Sequence, residues 1–306
     1  MSYHIVTIDS PKCSISCRDG QLICTTPEGE KRLPIEDVAS IIITSFSAQI
    51  HSQLFLEAAK HGVSLIICEA FKPVSLVLPA NRSTDTLLSR AQVALDERKR
   101  TRLWQLTVDA KCRNQALLAV HIAPDDPGLH ALASEAASRK PHKEASCAKL
   151  FWRIFGQAAG QKDFTRERGL PGLNSLLNYG YAVLLSTILQ KLFGVGLDPT
   201  FGLSHALRER ATPLAYDLME PFRPCVDWRV AQWIRNESAG AGGWEVTREF
   251  RRWVTGFPLE RTEYLGLDLE VRGCIEGSVR GFRRAVLAAD PRLYKPWTPK
   301  NSKWAG

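Results

Sequence analysis

Two carboxylates stand three residues apart in the stretch Leu214–Pro224: Asp217 and Glu220. On a helical turn, positions i and i+3 share a face. Pro221 follows at once. It has no N–H, so in a helix the carbonyl of Asp217 loses its partner, and the ring kinks or breaks the helix beside the acids. Arg223 comes two residues later. Paired acids at a forced irregularity, with a cation alongside, have the makings of a site. The plain alternative is an amphipathic helix with two surface acids that stops at Pro224. Partner side chains elsewhere in the chain have to decide between them.

Two candidates exist. Ala148, Phe151, Trp152 and Phe155 recur at i, i+3, i+4 and i+7, the apolar stripe of a helix over Ala145–Phe155. Glu144 lies four residues before Ala148 and falls on the same inward face, where an unpaired carboxylate is costly. It is either a metal ligand at the helix start or a first-turn acid favoured by the helix dipole, with Pro141 as the first helical residue. His205 follows a Gly/Pro loop, Gly194–Gly202, shortly before the two acids. A lone histidine is usually structural, but this one leads into the acidic turn. Glu144, His205 and Glu220, with Asp217 beside them, offer two hard oxygens and an imidazole, a set suited to Mg²⁺ or Mn²⁺. Arg166, Arg168, Arg208, Arg210 and Arg223, nearby in sequence, suit phosphates. A carboxylate-held divalent ion with arginines points to phosphodiester chemistry, in which the metal polarises the phosphoryl oxygen and activates a water or a sugar hydroxyl. No Ser, Cys or Tyr has an obvious partnered base, so a covalent intermediate is less attractive.

The rest of the chain has to position these groups. Its 306 residues allow one large domain or two ordinary ones, and 44% hydrophobic with 24% charged residues is a globular composition. The net charge of +8 is unevenly spread. Residues 1–80 hold six basic and eight acidic side chains, and the remainder holds 34 and 24. The whole basic surplus therefore lies after residue 80, and a nucleic-acid partner should bind there. The eight cysteines form no C-x-x-C pair, which argues against a zinc ribbon. Their scatter, with no signal peptide, points to free thiols in a reducing cytoplasm. The longest apolar run, Ala182–Leu189, is too short to span a bilayer.

The expected fold is α+β in two domains. Residues 1–80 read as a small β-rich domain with one helix over Ser52–Lys60. Its Ile-Ile-Ile run at Ile41–Ile43 suits a strand buried on both faces. Residues 81–86 read as a polar linker. Residues 87–290 read as a larger all-α domain carrying the catalytic groups, with Leu267–Ala289 as its last helix. Residues 291–306, with two tryptophans, read as a flexible basic tail.

The strings Glu144–Trp152, Leu176–Ala182, Gly196–His205 and Asp217–Pro224, in that order, resemble the catalytic subunit of the CRISPR spacer-acquisition integrase. The Asp-Leu-Met-Glu-Pro-Phe-Arg-Pro string looks most like the type II branch. The resemblance covers nearly the whole chain. It implies a homodimer formed through the β domains, with two such dimers flanking a dimer of a small ferredoxin-fold adaptation subunit in a heterohexamer. It also implies double-stranded DNA partners, prespacer and CRISPR repeat, and no membrane. The implied reaction is a metal-dependent transesterification, in which the 3′-hydroxyl of a short DNA attacks the edge of a repeat. Carried over by position, Glu144, His205 and Glu220 are metal ligands and Asp217 a supporting acid. Asn178, Arg166, Arg168 and Arg223 become candidate DNA contacts. Two other readings stay open: a metal-dependent endonuclease acting on branched DNA, and a DNA-binding scaffold with no chemistry.

Overall fold

A computed structural model of the chain describes residues 4–69, 72–77, 86–140, 142–205, 212–236 and 244–299. The N-terminal part runs β1 (His4–Ile8), β2 (Ser14–Arg18), β3 (Gln21–Thr26), β4 (Gly29–Pro34), β5 (Val38–Ile43), β6 (Gln49–Ile50), α1 (Gln53–Lys60), β7 (Ser64–Glu69) and β8 (Lys72–Val77). These strands form two four-stranded sheets, ordered β1-β5-β7-β8 and β4-β3-β2-β6. In the first, β1, β5 and β7 are parallel and β8 closes the edge antiparallel. In the second, β2, β3 and β4 form an antiparallel meander.

The Ile-Ile-Ile run is buried on both faces, as its composition predicts. Ile41 and Ile43 point into the β core with Leu54 of α1 and Leu65 of β7. Ile42 points the other way and, with Ile66 and Cys68, joins the core of the helical part. Strand side chains alternate, so a strand with no polar phase needs two apolar partners. The second partner is a long helix of the C-terminal part, α6 (Leu173–Gly194).

That part runs α2 (Thr86–Val93), α3 (Glu97–Ile122), α4 (Leu129–Ala137), α5 (Lys143–Ala158), α6 (Leu173–Gly194), α7 (Pro213–Met219), α8 (Arg223–Asn236) and α9 (Arg248–Val254). A hairpin, β9 (Arg261–Tyr264) and β10 (Leu267–Glu270), and α10 (Val271–Leu287) complete it. Asp96 caps α3, accepting from the Lys99 N–H at 2.8 Å. Helix α6 packs across β5, β7 and β8 on one side and against α7, α8 and α10 on others, which is why it is apolar nearly all round. Gly180 lets α6 and α8 close up: a Cβ there would meet Val226 Cγ1 at 2.4 Å. Among the described residues no helix is long and apolar enough to cross a membrane.

Two expectations change. The helix read from Leu267 begins only at Val271. Before it, Tyr264 pairs with Leu267 across a two-residue turn in which Leu265 and Gly266 have φ of 55° and 84°. Both central residues at positive φ match the right-handed twist of a tight hairpin. The segment expected to be a flexible tail from 291 is seated in the helical core as far as 299. Tyr294 is 1% and Trp297 0% exposed, Trp297 stacks on Phe222, and its indole N–H donates to the Glu263 carbonyl at 3.2 Å. Aromatic burial outweighs the Pro/Lys composition there. Residues 300–306, residues 81–85 of the expected linker, Pro141, and Arg208 and Arg210 lie outside the described residues.

Candidate active site

Helix α7 ends at Met219, and Glu220–Phe222 form a single 3₁₀ turn before α8 begins. This is the irregularity Pro221 dictates. The turn is held from behind by α3. The Asn114 side-chain amide donates to the Pro221 carbonyl at 2.7 Å and to the Trp297 carbonyl at 3.0 Å. Glu220 is 3% exposed and divided between two cations. Its Oε1 pairs with Arg223 Nε at 2.8 Å, and its Oε2 lies 2.6 Å from Lys111 Nζ. The Oε2 contact has the distance of an ion pair without the alignment of a hydrogen bond, so Oε2 makes none among the described residues. Burial alone would raise this carboxyl, but Arg223 and then Lys111 outweigh it and hold it down to about 2.

Glu144 reaches the same ammonium: its Oε1 lies 2.7 Å from Lys111 Nζ. It stands in the first turn of α5, half-exposed at the rim, where the first-turn reading places it. Lys143, just before it, fixes that turn by pairing with Asp109 of α3 and donating to the carbonyls of Ala136 and Ser138. Opposite charges, Glu220 and Glu144, keep the buried Lys111 ammonium charged against the cost of burial.

His205 is oriented by Asp217. Its Nδ1 lies 2.7 Å from Asp217 Oδ1, while the backbone N–H groups of Leu203, Ser204 and His205 all donate to that carboxylate. Asp217 is fully buried and ties the loop backbone and the imidazole together. With Nδ1 engaged, Nε2 is the nitrogen left to act as a ligand. Gly202 is required by this closure, because a Cβ would come within 2.7 Å of the His205 carbonyl and of Pro213. Trp104 and Tyr216 flank the imidazole with ring centroids at 6.1 and 6.0 Å. His205 is close enough to Glu220 to add a smaller favourable charge effect.

Glu144 and Glu220 thus meet at Lys111, which stands between them, while His205 is held by Asp217 and reaches Glu220 only as a weak charge effect. Among the described residues no three His, Cys, Asp or Glu side chains already form a metal cage. The donor chemistry nevertheless fits a divalent ion: two carboxylates that already share one cation, one of them with an oxygen lacking an aligned hydrogen bond, and an oriented imidazole.

The candidate DNA contacts separate. Arg166 donates to Asn174 and Asn178 at 2.8 and 2.7 Å, and Asn178 returns a bond to the Arg168 carbonyl. The Arg168 guanidinium sits 5.9 Å from the Tyr216 ring, beside His205. Arg223 faces inward, paired with Glu220 and 4.5 Å from the Tyr181 ring. Behind it the Tyr181 hydroxyl donates to buried Asp227 at 2.5 Å. Burial pushes the Asp227 carboxyl up to about 7, against the opposing pull of Tyr181, Arg223 and Arg166. Lys111, Asn114 and Asp227 were not singled out by sequence reasoning. Lys111 and Asn114 fall in the buried phase of α3 with Thr107, a polar interruption of an inward face that could have marked them.

The family model "CRISPR associated protein Cas1" matches residues 6–254. A CRISPR-associated endonuclease Cas1 from Neisseria meningitidis is 33% identical over 222 residues, covering 71% of this chain and 71% of that one. A casposase bound to integration product superposes with a TM-score of 0.77 at 22% identity, covering 100% of this chain and 94% of the other. A Cas6-RT-Cas1–Cas2 complex gives a TM-score of 0.76 at 14% identity over 96% of this chain and 36% of the other. The structural likenesses show a shared fold. The family match and the Neisseria relative show descent, and the chain belongs to the Cas1 family.

Proposed function

We propose that the chain is a metal-dependent DNA integrase that inserts short DNA into a CRISPR array by transesterification at the repeat edge. One observation carries the reading: Glu144 and Glu220 converge on a single cation beside a histidine held by a buried aspartate. Glu144, His205 and Glu220 would hold Mg²⁺ or Mn²⁺, which when bound would polarise the scissile phosphate and activate the attacking 3′-hydroxyl. Arg223 keeps Glu220 ionised. Asp217 presents His205 Nε2, and Asn114 fixes the turn that aims Glu220. Arg166 and Asn178 shape the loop that carries Arg168 to the phosphate backbone. Trp104 and Tyr216 flank the imidazole and limit its tilt, leaving its outer edge partly open to solvent.

Two similar proteins support this reading: the Neisseria relative is an endonuclease, and the casposase is bound to an integration product. The complex with Cas2 supports a small partner subunit. On this proposal the β-rich unit, residues 1–80, mediates a cytoplasmic homodimer, and residues 87–290 perform the chemistry. The test uses a branched DNA with a labelled 3′-hydroxyl strand, the small partner subunit and Mn²⁺. Joined product that needs both the metal and Glu220 supports the integrase. Cleavage without joining favours the endonuclease, and silence in both wild type and Glu220→Ala leaves only the scaffold.

A further inference from the structure

A lysine side chain has no obvious reason to stand where Lys111 stands. Its side chain is 12% exposed, on the inward face of α3, and its ammonium touches both glutamates that the metal reading uses. Glu220 already has one cation in Arg223, bound to Oε1. The other oxygen, Oε2, is turned to Lys111 alone and makes no aligned hydrogen bond among the described residues. Without Lys111, Glu144 and Glu220 would face each other with one arginine between two negative charges, and like charges in one site resist ionisation. With Lys111, two carboxylates are matched by two cations.

The local charge is therefore balanced before any metal arrives. A divalent ion added to this balanced set would meet the ammonium at close range. Replacing the ammonium returns both carboxylate oxygens to the incoming ion. The two basic residues differ in how they can respond. Arg223 is a planar fork locked over the Tyr181 ring at 4.5 Å. Lys111 is a point charge on a flexible four-carbon stem, able to swing its tip while the stem stays packed. Half-exposed Glu144 is the solvent side of the pair, and buried Glu220 the inner side.

We propose that Lys111 is a built-in stand-in cation. It holds the Glu144–Glu220 site in shape without metal and withdraws when a divalent ion binds, so that metal affinity is a competition with the chain's own ammonium. This rests on the metal reading of the site. It follows that the lysine protects the site from collapse or repulsion in the free protein and weakens metal binding in the absence of DNA.

The test is Mn²⁺ titration calorimetry on the full chain without DNA, comparing wild type with Lys111→Met, together with thermal unfolding with and without Mn²⁺. The variant should unfold at lower temperature without metal, bind Mn²⁺ about tenfold tighter, and gain more melting temperature from it. A second measurement needs no variant. Acylation of wild-type lysines, read by mass spectrometry, should label Lys111 several-fold faster with Mn²⁺ than without. If wild type binds Mn²⁺ but the variant binds it no tighter, or Lys111 labelling is unchanged by Mn²⁺, the stand-in role is overturned and the metal reading stands. If wild type shows no Mn²⁺ binding at all, the metal reading fails and takes this proposal with it.

Discussion

Removing the Trp297 side chain tests whether the C-terminal segment braces the catalytic turn. The indole is 0% exposed, stacks on Phe222 with centroids 5.4 Å apart and planes 13° from parallel, and donates to the Glu263 carbonyl. Phe222 is the last residue of the turn that begins with Glu220. Trp297→Ala therefore removes a filled volume directly behind that turn. Large-to-small core changes of this kind cost about 3–5 kcal/mol. Against a typical total of about 5–15 kcal/mol, that is a large fraction of the stability. Trp297→Phe keeps a ring on Phe222 but leaves the Glu263 carbonyl without its donor, for a smaller loss of about 1 kcal/mol. Urea unfolding followed by circular dichroism reads both, and an unchanged denaturant slope would show that the loss lies in the folded state. Strand transfer by the folded fraction of Trp297→Ala should also fall, since the Trp297 carbonyl and the Pro221 carbonyl share the Asn114 amide. A loss below about 1 kcal/mol for Trp297→Ala would refute the seating of this segment and the bracing built on it.

Four further outcomes are expected. Asp217→Asn puts an amide N–H₂ among backbone donors and frees the His205 ring, so metal affinity measured by Mn²⁺ titration should drop about 10–100-fold; wild-type affinity would remove Asp217 as the orienting group. Arg223→Ala leaves buried Glu220 with Lys111 as its remaining close cation and should cost about 3–5 kcal/mol in denaturant unfolding, whereas Arg168→Ala should flatten the salt dependence of DNA binding by about one phosphate contact. The Asp227 carboxyl, facing Tyr181, Arg223, Arg166 and Lys111, is raised from 3.8 to about 7 in the fold. Between those values the folded chain keeps a proton that the unfolded chain has released, so this group costs stability that grows as pH rises and levels off above about 7. The stability of Asp227→Asn relative to wild type should therefore climb from pH 4 to 7, by up to about 4 kcal/mol, and then stay flat; parallel curves would contradict it.

The parts of the fold that a sequence shows best are those where one local rule acts alone. The Ile41–Ile43 run has no polar phase, so two-faced burial follows without knowing the partner. Pro221 forces a break wherever the chain goes. The hairpin at Leu265–Gly266 was hidden because Leu267–Ala289 carries a plausible helical period, and a single glycine in a tight turn is a weak signal beside it. Trp297 was hidden for the opposite reason. Its neighbours Pro296, Lys295 and Pro299 look like linker composition, and only a slot between Phe222 and the β9 strand, formed by residues distant in sequence, gives the indole a place.

The site divides along the same line. Glu144, His205, Asp217 and Glu220 were legible because each lies in a string whose residue types and order are unusual. The groups that make their arrangement work come from α3, where the sequence offers no motif. Thr107, Lys111 and Asn114 are spaced i, i+4, i+7 and so lie on one face, and all three are occupied: Thr107 by the Tyr294 hydroxyl, Lys111 by the two glutamates, Asn114 by the carbonyls of Pro221 and Trp297. Helix α3 thus presents to the site a row of polar side chains inside a face that is otherwise core. A helix interior keeps such a row only when each group finds a partner, because an unpaired buried amide or ammonium costs more than the apolar residue it displaced. One helix therefore couples the C-terminal segment, the Pro221 turn and both glutamates. A change at any of the three positions should be felt at Glu220 before it is felt at His205, whose ring is held by Asp217 and the loop backbone.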